Sequence, residues 1–215
     1  MENSYRVSLA ATQNEFPQFQ ACNKYFNKLI PGVFEIGSIW IAGGAIRDFL
    51  EKGYVDSDID FYSSNRSDLF RLVRFLRKEF QFKHYLITQN AIKGNVIIKG
   101  KKIMVDVVKR TFDDMIQTIS MFDFTVTCFA TNGNDVYYHP SAPFDLLRKR
   151  LVINNLPFPI STLQRMQKYI QKGYWICNGG MLEIAKSMGA IDFDSADENT
   201  IEFYPDGSPR FVRFD

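Results

Sequence analysis

The stretch from Ser38 to Tyr62 constrains this chain more than any other. The apolar run Ser38-Ile39-Trp40-Ile41-Ala42 reads as a buried strand and ends on Gly43 and Gly44. Ala45 to Lys52 then reads as a helix stopping near Gly53, and Asp58-Ile59-Asp60-Phe61-Tyr62 as a second strand. Glycines at a strand–helix junction let the backbone approach a ligand, and the first N–H groups of a helix favour an anion. Arg47 falls on the first turn of that helix, where a guanidinium can pair with phosphate oxygens. No Gly-Lys-Ser/Thr follows and no G-x-G-x-x-G is present, which excludes a Walker A loop and a dinucleotide fingerprint. On a strand, residues i and i+2 share a face at roughly 6.5–7 Å. Asp58 and Asp60 are therefore expected to converge on a hard divalent cation, with Ile59 and Phe61 turned to the core. Each pattern alone has a plainer meaning: a tight turn for Gly-Gly, a polar strand face for Asp-x-Asp.

Asp106 is the third piece. It interrupts the apolar strand Ile103-Met104-Val105-Asp106-Val107-Val108. A carboxylate there is costly unless it is paired, binds metal, or faces water from an edge strand. Lys109 and Arg110 follow it directly and are candidate phosphate contacts, or simply a basic strand end.

The remaining elements are expected as a helix over 14–30, a helix from about Ser67 to Phe80 capped by Ser63-Ser64-Asn65, and strands over 92–98 and 103–109 joined by Lys99-Gly100-Lys101. A short helix over 112–119 follows, then strands 124–129 and 135–138 around the hairpin signal Asn132-Gly133-Asn134. Helices are expected over 161–173, capped by Ser161 or Thr162, and over 179–188. Strands with interleaved helices, followed by helices, predict an α+β domain over 1–150 with a helical extension over 151–190. An acidic tail over 191–215 carries a hairpin signal at Asp206-Gly207.

Composition narrows the function classes. Of 215 residues, 46% are hydrophobic and 23% charged, with 20 Phe, so a core of ordinary size and aromatic character is expected and wholesale disorder is excluded. No apolar run approaches the roughly 18–20 residues of a membrane helix, and Met1 to Phe16 lacks a signal-peptide core. A cytoplasmic, reducing setting is the expectation. Three scattered cysteines and two histidines offer no zinc spacing, and the thiols read as buried or tolerated. The net charge of +2 hides an asymmetry: twelve Lys/Arg against three acids from Arg66 to Arg110, and eight acids against three bases from Glu183 to Asp215. A basic middle is compatible with a phosphate-rich ligand or with a solvated helix face.

Taken in order, IWIAGGAIRDFL and DSDIDFY resemble the head domain of CCA-adding enzymes and bacterial poly(A) polymerases, members of the polymerase-beta-like nucleotidyltransferase superfamily. The family's Gly-Gly-x-x-Arg-Asp-x-Leu and Asp-x-Asp fall on Gly43, Gly44, Arg47, Asp48, Leu50, Asp58 and Asp60. MFDFTVTCFAT is similar to the family's Arg-Arg-Asp-Phe-Thr motif at Asp123, Phe124 and Thr125, and the neck helix has a likeness in LQRMQKYIQKGYWI. The resemblance covers roughly residues 35–175. It implies a mixed or antiparallel sheet flanked by helices, with a short neck-like extension. It also implies transfer of a nucleoside monophosphate from an NTP to an acceptor hydroxyl, with release of pyrophosphate.

In that reading Asp58, Asp60 and Asp106 are catalytic and hold two Mg²⁺ or Mn²⁺ ions. Gly43, Gly44, Arg47, Asp123, Lys109 and Arg110 serve the nucleotide. The acceptor is an RNA 3′ end, a protein or a small molecule. A protein partner is the alternative expectation, in which the fold acts as a binding or assembly module. The resemblance stops at Met121, Phe122 and Thr127, which stand where the family has two arginines and an asparagine, and at Phe158–Thr162, which lacks the base-choosing motif.

Overall fold

The computed structural model describes residues 16–190, together with the backbone of two short strands, 201–203 and 209–211. Helix α1 (Pro17–Leu29) opens with Pro at its first turn, where a missing N–H costs nothing, and buries Phe19, Cys22 and Phe26. Strand β1 (Ile39–Ala42) is buried throughout and runs into α2 (Gly44–Lys52), which ends on Gly53 at φ +80°. Strand β2 (Ile59–Ser63) leads to α3 (Arg66–Phe80), where the Asn65 side chain accepts from the Asp68 N–H at 2.9 Å and starts the helix. Then come β3 (Lys83–Ile87), β4 (Ala91–Ile98), β5 (Lys101–Val108), α4 (Met115–Ser120), β6 (Phe129–Thr131) and β7 (Val136–Tyr138).

These seven strands form one sheet in the order β3-β4-β5-β2-β1-β6-β7. Every neighbouring pair is antiparallel except β2–β5, so the chain leaves β2, builds α3, β3 and β4, and returns parallel beside it. The expected α+β class, a mostly antiparallel sheet flanked by helices, is what the chain adopts. One sheet face carries Ile39, Ile41, Ile59, Phe61, Val105 and Val107 against α1, α2 and α3. The other carries Trp40, Ala42, Tyr62, Cys128 and Ala130, with Ile119 of α4 packed on them.

The remaining elements, α5 (Ala142–Leu147), β8 (Arg150–Leu151), α6 (Pro159–Gln171), β9 (Trp175–Ile176) and α7 (Asn178–Gly189), fold onto this body, the last three within the expected extension. Leu151, Tyr169, Tyr174 and Ile184 join the same buried cluster as the sheet. Ile201–Phe203 and Pro209–Phe211 pair antiparallel where a hairpin was expected; the turn between them lies outside the described residues. Among the described residues no helix is long and apolar enough to cross a membrane.

Three local expectations give way. Residues 124–129 do not form a strand: a 3₁₀ turn spans Thr125–Thr127, and only Phe129–Thr131 pairs in the sheet. The reason is local bonding, since the Thr127 hydroxyl donates to the Phe124 carbonyl at 2.9 Å and Thr125 donates to Asp145 at 2.8 Å. Helix α6 starts at Pro159 rather than at a Ser161/Thr162 cap, with the Thr162 hydroxyl turned back to the Phe158 carbonyl at 3.1 Å. Asp58 precedes β2 instead of lying on it.

Candidate active site

The β4–β5 hairpin sets the geometry. Lys99 and Gly100 both have positive φ, 50° and 76°, the signature of a two-residue turn matched to strand twist. That turn fixes Ile98 opposite Lys101 and therefore Lys93 opposite Asp106. Asp106 in turn lies opposite Asp60 on β2, and Asp60 opposite Ala42 on β1. Register partners project from the same face. The row Lys93–Asp106–Asp60–Ala42 thus crosses four adjacent strands at roughly 4.8 Å per step. Lys93 Nζ stands 2.7 Å from Asp106 Oδ2, both side chains at least nine-tenths buried.

The glycines meet this row. Gly43 has φ +88°, which only glycine adopts without strain. A Cβ there would come within 3.9 Å of Asp60 Oδ2 and 3.6 Å of the Phe122 ring. The Gly43 N–H donates to the Phe129 carbonyl at 2.9 Å, so this glycine supplies the turn. The first-turn N–H groups of α2, beginning with Gly44, remain the anion-favouring donors. Ser57 Oγ, buried and without a hydrogen-bond partner, lies 3.4 Å from where a Gly44 Cβ would be. Tyr62, on the face of the row, packs against Phe112 and Phe122, and burial together with Asp60 and Asp106 pushes its phenol well above the usual range.

The other expected site residues are placed elsewhere. Arg47 is buried, with Nε 3.0 Å from Asp48 Oδ1, NH2 on the same oxygen and 3.6 Å from where a Gly44 Cβ would be, and the guanidinium 5.1 Å over the Tyr169 ring of α6. Burial opposes its charge, but Tyr169 and Asp48 more than offset that and hold its pKa above the ordinary arginine value. Burial pushes Tyr169 up to about 12. Asp123 is bound by Arg165 Nε of α6 and accepts from the Phe124 N–H at 3.0 Å, so it fastens the extension to the head. Lys109 Nζ donates to the Thr88 carbonyl, and Arg110 stacks on Phe112 at 5.1 Å. Asp58 is exposed at the mouth of β2, while Asp60 is half-buried.

The thiols of Cys22 and Cys128 are buried and raised, Cys22 to about 12, which removes them as nucleophiles at neutral pH.

The fit to metal can be tested on these placements. Among the described residues no three His, Cys, Asp or Glu side chains gather as a ligand group. A three-carboxylate, two-ion centre is therefore not what the side chains form. Asp60 with Asp58 before it does suit a single Mg²⁺, which commonly binds through one or two carboxylates and takes its remaining oxygens from phosphates and water.

The sheet order and its flanking helices give the chain a fold shared with solved CCA-adding enzymes and tRNA nucleotidyltransferases. Solved structures with this fold include the Thermotoga maritima CCA-adding enzyme complexed with tRNA, at 16% identity and TM-score 0.56 over 77% of this chain and 42% of that one. They also include a CCA-adding enzyme complexed with ATP, at 14% and 0.58 over 77% and 43%. A third is a tRNA nucleotidyltransferase with primer tRNA and an incoming ATP analogue, at 16% and 0.53 over 73% and 50%. The chain spans half or less of the length of these structures, and the likeness is one of fold. The chain itself belongs to the Gabija anti-defense 2 family, whose profile matches residues 15–149. No curated protein matches it in sequence.

Proposed function

We propose that this protein transfers a nucleoside monophosphate from an NTP to an acceptor hydroxyl. The observation that carries the reading is the juxtaposition of Asp60 and Asp106, side by side in register, with the glycine-led N-terminus of α2. The acceptor oxygen bonds to the α-phosphorus, the bond from that phosphorus to the β-bridging oxygen breaks, pyrophosphate leaves with the electron pair, and the acceptor proton passes to water. Asp58 and Asp60 would hold one Mg²⁺ or Mn²⁺. Bound there with the NTP, that ion supplies charge neutralisation for the triphosphate. The α2 N-terminus, worth roughly half a positive charge, faces the leaving pyrophosphate. Gly43 keeps the turn open beside Asp60, and Arg47 and Asp123 hold α2 and α6 in place from behind.

Structural neighbours have been solved in complex with tRNA, CTP and ATP. They favour an NTP as donor and an RNA 3′ end as the first acceptor to test, followed by protein and small-molecule hydroxyls. The family description adds the setting, an action against Gabija defence. A second reading, a nucleotide-binding module without transfer, draws on Arg47 and Asp123, both motif members engaged in fold-holding ion pairs.

Incubation with α-³²P-labelled NTPs, Mg²⁺ or Mn²⁺, and pools of RNA, protein and small molecules separates the readings. Label transfer that disappears in Asp60→Asn supports the transferase. Metal-dependent NTP binding without transfer supports the module, and absence of both sinks the site.

A further inference from the structure

The row contains a cation of its own. Lys93 is not a surface lysine that has swung onto a carboxylate: it sits in the middle of β4, buried, with Nζ 2.7 Å from Asp106 Oδ2. Its position is dictated by the hairpin register. On its other side the row continues to Leu86 of β3, which brings no charge. An ammonium buried this far is costly unless a carboxylate stays with it. A divalent ion on Asp106 would bind its oxygens at about 2.0–2.1 Å, in the space the ammonium fills. It would also repel the ammonium at close range.

Resting on the transferase reading above, we infer that Lys93 takes the place of a second divalent ion beside Asp106, so that the site loads one ion per bound nucleotide. Asp58 and Asp60 hold that ion. Asp106 belongs to Lys93, and the pair keeps one carboxylate next to Asp60 compensated without metal. Lys93 is then a positioning residue. It fills the space beside Asp106 and supplies the positive charge there that an ion would otherwise bring.

The test counts ions. The wild-type chain is saturated in turn with the α,β-methylene analogues of the four NTPs and titrated with Mn²⁺, free Mn²⁺ being read by its EPR signal. One Mn²⁺ per protein–nucleotide complex is expected. In Lys93→Met the freed Asp106 should admit a second, raising the count to two, and adding Asp106→Asn should return it to one. A count of two in the wild-type chain overturns the inference and leaves the transferase reading standing. A count that stays at one in Lys93→Met also overturns it, because the ammonium was then not what excluded the ion. If Lys93→Met does not fold, Lys93→Gln, which keeps a donor to Asp106 without the charge, serves for the same comparison. Absence of any metal-dependent nucleotide binding in the wild-type chain removes the transferase reading, and this inference with it.

Discussion

Two buried ion pairs flank the candidate site, and they face different parts of the protein. Lys93–Asp106 lies on the sheet face that carries Asp60, one strand from the carboxylate that meets Gly43. Arg47–Asp48 lies on α2 under Tyr169. Close by, Tyr174 donates to Glu51 at 2.8 Å and Lys149 pairs with the same carboxylate at 3.0 Å. Each pair has one member that a motif reader would assign to ligand, Asp106 in the first and Arg47 in the second. Only the first is placed to influence one. The Gly-Gly-x-x-Arg-Asp segment therefore serves two ends: Gly43 lies beside Asp60, while Arg47, held by Asp48, packs on Tyr169 of α6.

That contrast can be broken in several ways. Arg47→Ala strands a buried Asp48 and should cost about 3–5 kcal/mol of folding stability in urea denaturation, with partial recovery in Arg47→Lys. Retained stability with lost NTP affinity would move Arg47 to the ligand side. Asp60→Asn should act on ligand binding instead. It should abolish the stabilisation by NTP with Mg²⁺, which amounts to roughly 2.7 kcal/mol at a hundredfold excess over Kd and is read as a melting shift with and without metal. Gly43→Ala must adopt a positive φ beside Phe122, and about 1–3 kcal/mol of strain should appear as a lowered melting temperature even without ligand.

A smaller effect belongs to neither pair and calibrates both. Asp68 is held below the usual carboxylate range by the Asn65 side chain, the Ser38 N–H at 3.0 Å and Arg71. Its folded pKa lies below the unfolded one. The stability it contributes is therefore present above the unfolded value, about 4, and is lost as pH falls through the folded value. Asp68→Asn should flatten the acid limb of melting temperature against pH below about 5. Asn65→Ala, which removes the cap of α3, should cost about 1 kcal/mol at neutral pH.

Much of the fold was legible because its elements carry strong local signals. The apolar runs of β1 and β5, the alternation from Asp58 to Phe61, the cap at Asn65 and the turns at Gly53 and Gly133 all act within a few residues. Strand β3 gave no such signal: every residue from Lys83 to Ile87 is exposed, so no buried face marks it. Asp60 and Asp106 were legible as acids in apolar strands, but their adjacency depends on the parallel β2–β5 pairing, which no local pattern announces. For Arg47 the position in the helix was legible, but its partners Asp48 and Tyr169, one of them 122 residues away, were not. Lys93 was missed although its signal was present. With the two-residue turn at Lys99-Gly100, partners across the hairpin are fixed by counting, and counting back from Ile98–Lys101 reaches Lys93–Asp106.

The same counting makes the turn a reading frame for the sheet. One residue added between Ile98 and Lys101 would shift β4 against β5 by a single step and turn every β4 side chain to the opposite face. Lys93 would then point its ammonium into the cluster of Val105, Val107 and Phe61, and a neighbour of Lys93 on β4 would stand over Asp106. The charge next to the carboxylates is thus specified five residues up the strand, about 17 Å away at strand rise, by the length of a loop that touches neither of them.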